Sequence, residues 1–158
     1  MGTKNIFQEA TKRGINNKRI LFAKKMKIEE HLARLKFADL FLDTFPYTAH
    51  TTCSDALRVG TPVLTKIGRT FASRVAASLL KTSGLEELVT YSDDEYVKKA
   101  ILISKDVKYS NKLKKKILEA KNKKNLFDNK LFTGNLEKAF KEIYKRKINN
   151  LEPDHIYI

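Results

Sequence analysis

The segment from Asp39 to Thr65 constrains the fold most, because an apolar run, a polar loop, an amphipathic stretch and a second apolar run follow one another. It predicts a strand at Asp39–Asp43, a helix at Thr51–Val59 that ends at Gly60, and a strand at Pro62–Thr65. A strand, a helix and a strand in this order form a βαβ unit, which requires a parallel sheet covered by helices. The predicted fold class is therefore α/β.

The alternation of strand-like and helix-like segments continues on both sides of this unit. Before it, apolar spacing predicts a helix, a short strand and a helix, at Asn5–Arg13, Arg19–Phe22 and about Ile28–Phe37. After it, the same criterion predicts a helix from Phe71 to before Gly84, a short strand and three helices, at Glu87–Thr90, Asp93–Ser104, Val107–Asn122 and Asn135–Ile148. This order predicts a Rossmann-like, doubly wound parallel sheet with flanking helices and a helical C-terminal tail.

Only about four strands are predicted, and a helix precedes the first of them, whereas a nucleotide-binding half normally begins with a strand and its turn. We therefore expect the domain to lack its first strands. Residues 1–104 are predicted to form the Rossmann-like region. Residues 105–158 are predicted to be a helical extension that packs on the same lobe, so that the chain forms one domain.

Composition excludes several classes of protein. The chain has 158 residues, 42% of them hydrophobic, and no apolar run approaches the roughly 20 residues of a membrane span. Its first residues lack the apolar core of a signal peptide, so a cytoplasmic location without membrane contact is expected. Cys53 is the only cysteine, which excludes a disulfide framework and favours neither zinc nor any other metal. By base rate Cys53 is expected to fill the core rather than act as a nucleophile.

The formal net charge of +14 suits nucleic acid, an anionic surface or an anionic substrate. Much of the excess lies after Lys98, where lysines alternate with the apolar positions of amphipathic helices. That distribution is more typical of a solvated face than of a binding site. The sequence also has no aromatic ladder of the kind that stacks bases, so a nucleic-acid partner is not expected.

The start of the predicted helix at Thr51 is the candidate site. Two threonines and Asp55 crowd its first turn, where unpaired backbone N–H groups and the positive end of the helix dipole attract a phosphate. In a parallel sheet the loops after successive strands open at the same edge, so His31 and Arg34 of the preceding helix are hypothesised to converge on the same ligand. Helix capping explains the same threonines and aspartate without any ligand, and composition alone favours that explanation.

A series of short motifs favours a ligand site over helix capping. They are Arg19–Phe22, Glu29–His31, Ala38–Pro46, His50–Thr52, Asp55–Leu57, Gly60–Thr65, Phe71–Ala76, Asn125–Asp128 and Pro153–His155. In this order they closely resemble the C-terminal catalytic lobe of the O-linked N-acetylglucosaminyltransferase and SPINDLY-like family. The resemblance covers nearly the whole chain.

This resemblance implies a GT-B fold of two Rossmann-like lobes, of which the chain provides the donor-binding one. It implies an inverting transfer of a sugar, from UDP-GlcNAc in the best-known branch, to Ser or Thr of proteins, with no metal and no cofactor beside the UDP-sugar. By the same resemblance, His31 lies at the base of the nucleotide, with Arg34 nearby. The diphosphate is assigned to His50, Thr51 and Thr52, and the ribose to Asp55. The acceptor-facing lobe and helical repeats are expected upstream, and no catalytic residue is implied here.

Two departures from the family pattern concern the donor. The family usually has a Lys three residues before the His, where this chain has Ile28 with Lys27 beside it. The family usually has Gly-Glu-Thr where this chain has Gly68-Arg69-Thr70, which replaces an acid by a base at the rim of the site. The class of donor is therefore better defined than the donor itself.

Two other interpretations stay open on the sequence. The chain is alternatively a non-catalytic nucleotide-sugar-binding subunit of a split enzyme, completed by a separately encoded lobe. Less favoured is a basic nucleic-acid-binding module, which predicts oligonucleotide binding that weakens steeply with salt.

Overall fold

The computed structural model describes residues 2–123 and 125–158. These residues form two compact units, one that ends at His31 and one that begins at Leu32. The seven helices of the described residues are α1 Gly2–Lys12, α2 Ile28–Leu35, α3 Thr51–Val59, α4 Val75–Thr82, α5 Asp93–Lys105, α6 Val107–Lys123 and α7 Asn129–Ile148. Their three strands are β1 Phe41–Leu42, β2 Val63–Lys66 and β3 Val89–Thr90. None of these helices is both long and apolar enough to cross a membrane.

The three strands form one parallel sheet in the order β1-β2-β3. Phe41 pairs with Val63 and Leu42 with Leu64, so β1 lies directly beside β2. Thr65 pairs with Val89 at the other side of β2. The chain passes from β1 through α3 to β2 and from β2 through α4 to β3, which confirms the predicted parallel α/β architecture.

One apolar core holds the sheet and its helices together. Each of the main elements contributes at least one side chain that is less than 5% exposed: Leu57 of α3, Val63 of β2, Leu80 of α4, Ile103 of α5 and Ile117 of α6. Burial of this apolar surface stabilises the sheet and the helices on its faces as one body. The carboxyl ends of the strands are thereby fixed relative to the start of α3.

The predicted bounds of α3 are confirmed at both ends. Gly60 follows its last residue with φ +88°, a left-handed conformation that glycine adopts without steric cost, and its N–H bonds the carbonyl oxygens of Ala56 and Leu57. The side chain of Leu118 lies 3.0 Å from where a Cβ would stand at Gly60. Glycine therefore ends the helix and also lets α6 approach it closely.

The predicted strand at Arg19–Phe22 is wrong. Asn17–Arg19 form a 3-10 helix, because the side chain of Asn16 accepts a hydrogen bond from the N–H of Lys18 and caps it. Phe22 instead packs edge to face on Phe7 of α1, with ring centroids 5.3 Å apart. The described residues of this first unit contain no strand. An extended segment there therefore has no neighbouring strand with which to form backbone hydrogen bonds.

Ser92 and Glu95 form a capping box at the start of α5. The hydroxyl of Ser92 accepts from the N–H of Glu95 at 3.1 Å, and the Glu95 carboxylate accepts from the N–H of Tyr91 at 2.8 Å. Ser92→Ala removes the first of these bonds and is expected to lower the free energy of unfolding by about 1 kcal/mol in urea denaturation. Ser78→Ala, at an exposed position on α4, is the control and is expected to change stability by less than about 0.5 kcal/mol. Equal effects of the two substitutions would contradict the capping role.

Candidate ligand site at the carboxyl edge of the sheet

Three segments leave the sheet at its carboxyl edge, because all three strands are parallel. They are the loop 43–50 before α3, the loop 67–74 before α4, and the short turn after β3 that leads into α5. Ligands of open parallel sheets bind outside this edge. The side chains of these three segments therefore define the candidate site.

Asp43 follows β1 directly and is only 3% exposed. One oxygen of its carboxylate accepts from the N–H of Ala49 at 2.7 Å, and the other accepts from the hydroxyl of Thr65 at 2.6 Å. Burial raises the pKa of Asp43 above its usual 3.8, although these hydrogen bonds and the nearby His50 favour the ionised form. The carboxylate thus joins β2 to the residue that precedes the N-cap of α3.

The carbonyl of Ala72 joins the loop 67–74 to the loop 43–50. It accepts from the N–H of Thr48 at 3.0 Å and from the Thr48 hydroxyl at 2.7 Å, and it lies 3.3 Å from Nε2 of His50. A carbonyl oxygen only accepts, so the hydrogen of the imidazole ring at this contact lies on Nε2.

His50 lies between two aromatic side chains. Its ring stacks on Tyr47, with centroids 4.8 Å apart and planes inclined by 19°, and meets the ring of Phe71 edge-on at 6.2 Å. His50 is half-buried, whereas Tyr47 and Phe71 are exposed. Stacking and the contact with Ala72 together fix the orientation of the imidazole at the rim of the site.

The first turn of α3 opens toward solvent. His50 occupies the N-cap position, and its side chain makes no capping hydrogen bond. Thr51 and Thr52 are exposed there, while Asp55, about one turn further on, is half-buried. Residues three and four apart share a helix face, so Asp55 lies on the same side as both threonines. Exposed N–H groups, hydroxyls and the dipole of α3 make this turn suitable for an anion.

A second cluster supports the loop 43–50 from β2 and α5. The ammonium of Lys66 lies 3.8 Å from the centroid of the Phe45 ring and 2.5 Å from a carboxylate oxygen of Asp93. The hydroxyl of Tyr96 donates to the carbonyl of Asp43 at 2.8 Å. Burial and the charge of Asp43 raise the pKa of Tyr96 to about 12, so this phenol stays protonated and remains a donor at neutral pH.

The loop 67–74 is closed by short-range hydrogen bonds. The N–H of Gly68 donates to the carbonyl of Ser73 at 2.9 Å, and the Ser73 hydroxyl donates to the carbonyl of Thr70 at 2.8 Å. The Arg74 side chain donates to the carbonyl of Gly68 at 3.1 Å. Arg69 is exposed in this loop. The loop therefore presents the carbonyl of Ala72 from a defined position.

His31 and Arg34, the two residues predicted to lie at the base of the nucleotide, belong to α2. The carbonyl of Leu35, the last residue of α2, accepts from the hydroxyl of Thr61 at 2.7 Å, and Thr61 lies just before the start of β2. His31 belongs to the first unit, and Arg34 to the second. Both side chains are half-buried, and their roles at a base stay predictions.

Cys53 is fully buried on the inner face of α3. Burial and the charge of Asp43 raise the pKa of its thiol to about 12, so it is not a thiolate at neutral pH. The side chain fills the core beside Ala56 and Leu57, as its sequence context predicts.

Sequence reasoning missed three residues that build the site, namely Asp43, Thr48 and Ala72. Asp43 was recognised only as the end of a strand. Its role follows from the register of the sheet, because pairing of Leu42 with Leu64 places Asp43 opposite Thr65. For Thr48 and Ala72 the sequence carries no comparable signal, since their contact joins two loops that are 24 residues apart.

The chain matches the model of glycosyl transferase family 41 over residues 1–136. It is 38% identical over 117 residues to the probable UDP-N-acetylglucosamine–peptide N-acetylglucosaminyltransferase SPINDLY of Solanum lycopersicum, which covers 74% of this chain and 13% of the relative. It is 34% identical over 155 residues to the UDP-N-acetylglucosamine–peptide N-acetylglucosaminyltransferase of Caenorhabditis elegans, which covers 98% of this chain and 14% of that relative. The chain thus spans about one seventh of the length of these relatives.

A solved structure of similar fold is a mutant O-GlcNAc transferase of Thermobaculum terrenum. It superimposes with a TM-score of 0.83 at 30% identity and covers 90% of this chain and 27% of the other. The agreement confirms the Rossmann-like architecture, a lobe of the GT-B type, that the sequence predicts.

Proposed function

Because the chain belongs to glycosyl transferase family 41, we propose that it forms the donor-binding part of a protein O-glycosyltransferase and binds a UDP-sugar, UDP-GlcNAc by resemblance to its relatives. The observation that carries this proposal is the open first turn of α3, with Thr51 and Thr52 exposed at the carboxyl edge of the sheet. In an open parallel sheet this is where a diphosphate binds.

The proposed site has a defined chemical task. Transfer of the sugar leaves negative charge on the departing UDP, and fixed donors that face this charge lower the barrier. The first N–H groups of α3 and the hydroxyls of Thr51 and Thr52 are proposed to provide them, with His50 beside the diphosphate. Asp55 is proposed to accept from the ribose hydroxyls, and His31 and Arg34 to lie at the uracil. No metal is proposed in this role.

Transfer also requires an acceptor hydroxyl placed in line with the bond that breaks. The proposed acceptor is a Ser or Thr side chain of a protein, and the sugar is transferred with inversion. Because the chain spans only about one seventh of its curated relatives, we propose that the groups that place this hydroxyl come from a further lobe. That lobe is part of the same enzyme or, in the second candidate function, a separate subunit.

Isothermal titration of UDP into the chain tests donor binding. Thr52→Ala and Asp55→Ala are each expected to weaken UDP affinity about tenfold, because each removes one polar contact worth about 1–1.5 kcal/mol. The matched controls are Thr133→Ala, an exposed threonine of α7, and Asp94→Ala, an exposed acid in the first turn of α5. Both controls are expected to bind UDP as the unmodified chain does.

The proposal fails if millimolar UDP gives neither heat nor a rise in melting temperature, since a ligand that binds only the folded chain must stabilise it. It also fails if Thr52→Ala and Asp55→Ala bind like their controls. Binding of an oligonucleotide that weakens steeply with salt, together with indifference to UDP, would instead support a nucleic-acid-binding module.

A further inference from the structure

Asp43 lies where three parts of the site meet. Its side chain bonds Thr65 of β2 and the backbone of Ala49, its N–H donates to the carbonyl of Leu64 at 3.0 Å, and its carbonyl accepts from Tyr96 of α5. Every polar atom of this residue therefore has a partner. Such a residue cannot move without displacing β2, α5 or the loop before α3.

The bond to Ala49 has a particular consequence for α3. Ala49 directly precedes the N-cap residue His50, so a fixed N–H at Ala49 fixes the point at which the helix begins. The contact of Thr48 with Ala72 holds the same loop from the other side, but it does not involve the backbone of Ala49. Among the described contacts between the loop 43–50 and the sheet, the bond of the Asp43 carboxylate to Ala49 is therefore the closest in sequence to the first turn of α3.

We propose that Asp43 is a positioning residue, whose carboxylate sets the direction in which the first turn of α3 presents its N–H groups to the diphosphate of the donor. The inference rests on the proposed function and adds a residue that touches no part of the nucleotide. Donors fixed before the ligand arrives bind it better than donors that must first be ordered, because the ordering cost is already met in the folded chain.

The alternative is a merely structural role, in which Asp43 stabilises the fold and leaves binding unaffected. The two roles differ in what they do to the phosphate-dependent part of the affinity. Uridine contacts only the base and ribose subsites, whereas UDP also engages the turn of α3. A change in the ratio of UDP to uridine affinity therefore reports the position of this turn, while a loss of stability alone leaves the ratio constant.

Asp43→Ala removes both accepting oxygens, so the N–H of Ala49 and the hydroxyl of Thr65 both lose their partner. It is expected to lower UDP affinity about tenfold and uridine affinity by less than about threefold, measured by NMR titration at a temperature where the variant is folded. Thr90→Val is the control, because it removes a buried hydrogen bond to the carbonyl of Thr65 on the far side of β2. It is expected to leave both affinities unchanged.

Thr65→Val is the second variant, should Asp43→Ala not fold. It releases only the oxygen that does not bond Ala49, so a smaller loss of UDP affinity, about threefold, is expected with uridine affinity unchanged. An unchanged ratio in the variants would overturn the positioning role while UDP binding itself stands. A ratio near one in the unmodified chain would instead overturn the proposed diphosphate site, and the inference with it.

Discussion

Thr65→Val is expected to lower the free energy of unfolding by about 2–4 kcal/mol at neutral pH, although valine has nearly the shape of threonine. The reason is the partner of the hydroxyl rather than the volume of the side chain. Thr65 donates at 2.6 Å to the buried carboxylate of Asp43, and valine leaves that oxygen without a donor in the interior. Urea denaturation followed by circular dichroism measures the loss.

The loss is expected to depend on pH in a defined direction. Burial holds the folded pKa of Asp43 above its usual 3.8, and loss of the Thr65 donor raises it further. A carboxyl group with a raised folded pKa contributes stability that is fully present below pH 3.8 and is lost as the pH rises through the folded value. The difference between Thr65→Val and the unmodified chain should therefore be smallest in acid and grow toward neutral pH.

Thr90→Val provides the matched control for this dependence. The hydroxyl of Thr90 is equally buried and donates to the carbonyl of Thr65 at 2.9 Å, a group that carries no charge. Its loss is expected to cost about 1–2 kcal/mol, independent of pH. If Thr65→Val showed the same flat profile as Thr90→Val, the ionised state of Asp43 would not be the source of its effect.

The helices of the second unit were predictable because their signals are local. The bounds of α3 follow from the residues Thr51 to Gly60, since the glycine that ends the helix adopts the left-handed conformation by itself. The strand predicted at Arg19–Phe22 failed for the opposite reason. A strand is stable only beside another strand, and the apolar residues Ile20, Leu21 and Phe22 cannot indicate whether such a partner exists.

The same difference between local and long-range signals decides which residues of the site can be predicted. The exposed residues Thr51 and Thr52 and the acid one turn later were found from the sequence because a helix start brings them together without help from elsewhere. Asp43 was not found, because its partner Thr65 is 22 residues away and becomes a neighbour only through the register of β1 and β2. The contribution of a buried residue to a site thus depends on pairing that periodicity does not encode.

Gly68→Ala is expected to lower the free energy of unfolding by about 1–3 kcal/mol, because the loop 67–74 has no room for a methyl group. A Cβ at Gly68 would stand 2.4 Å from the hydroxyl oxygen of Ser73 and 2.6 Å from its Cβ. Ser73 is buried and donates to the carbonyl of Thr70, so it cannot turn aside without loss of that bond. The conflict is therefore steric and is relieved only if the loop moves.

A double-mutant cycle with Ser73→Gly separates this collision from other effects of the alanine. Ser73→Gly removes both atoms that the new methyl group would meet, so Gly68→Ala should cost about 1 kcal/mol less in that background than in the unmodified chain. Equal costs in the two backgrounds would show that the collision is not the cause.

Movement of the loop also displaces the carbonyl of Ala72, which holds Thr48 and contacts His50. Gly68→Ala is therefore expected to weaken UDP binding as well, and calorimetric titration of the same variant measures this second consequence.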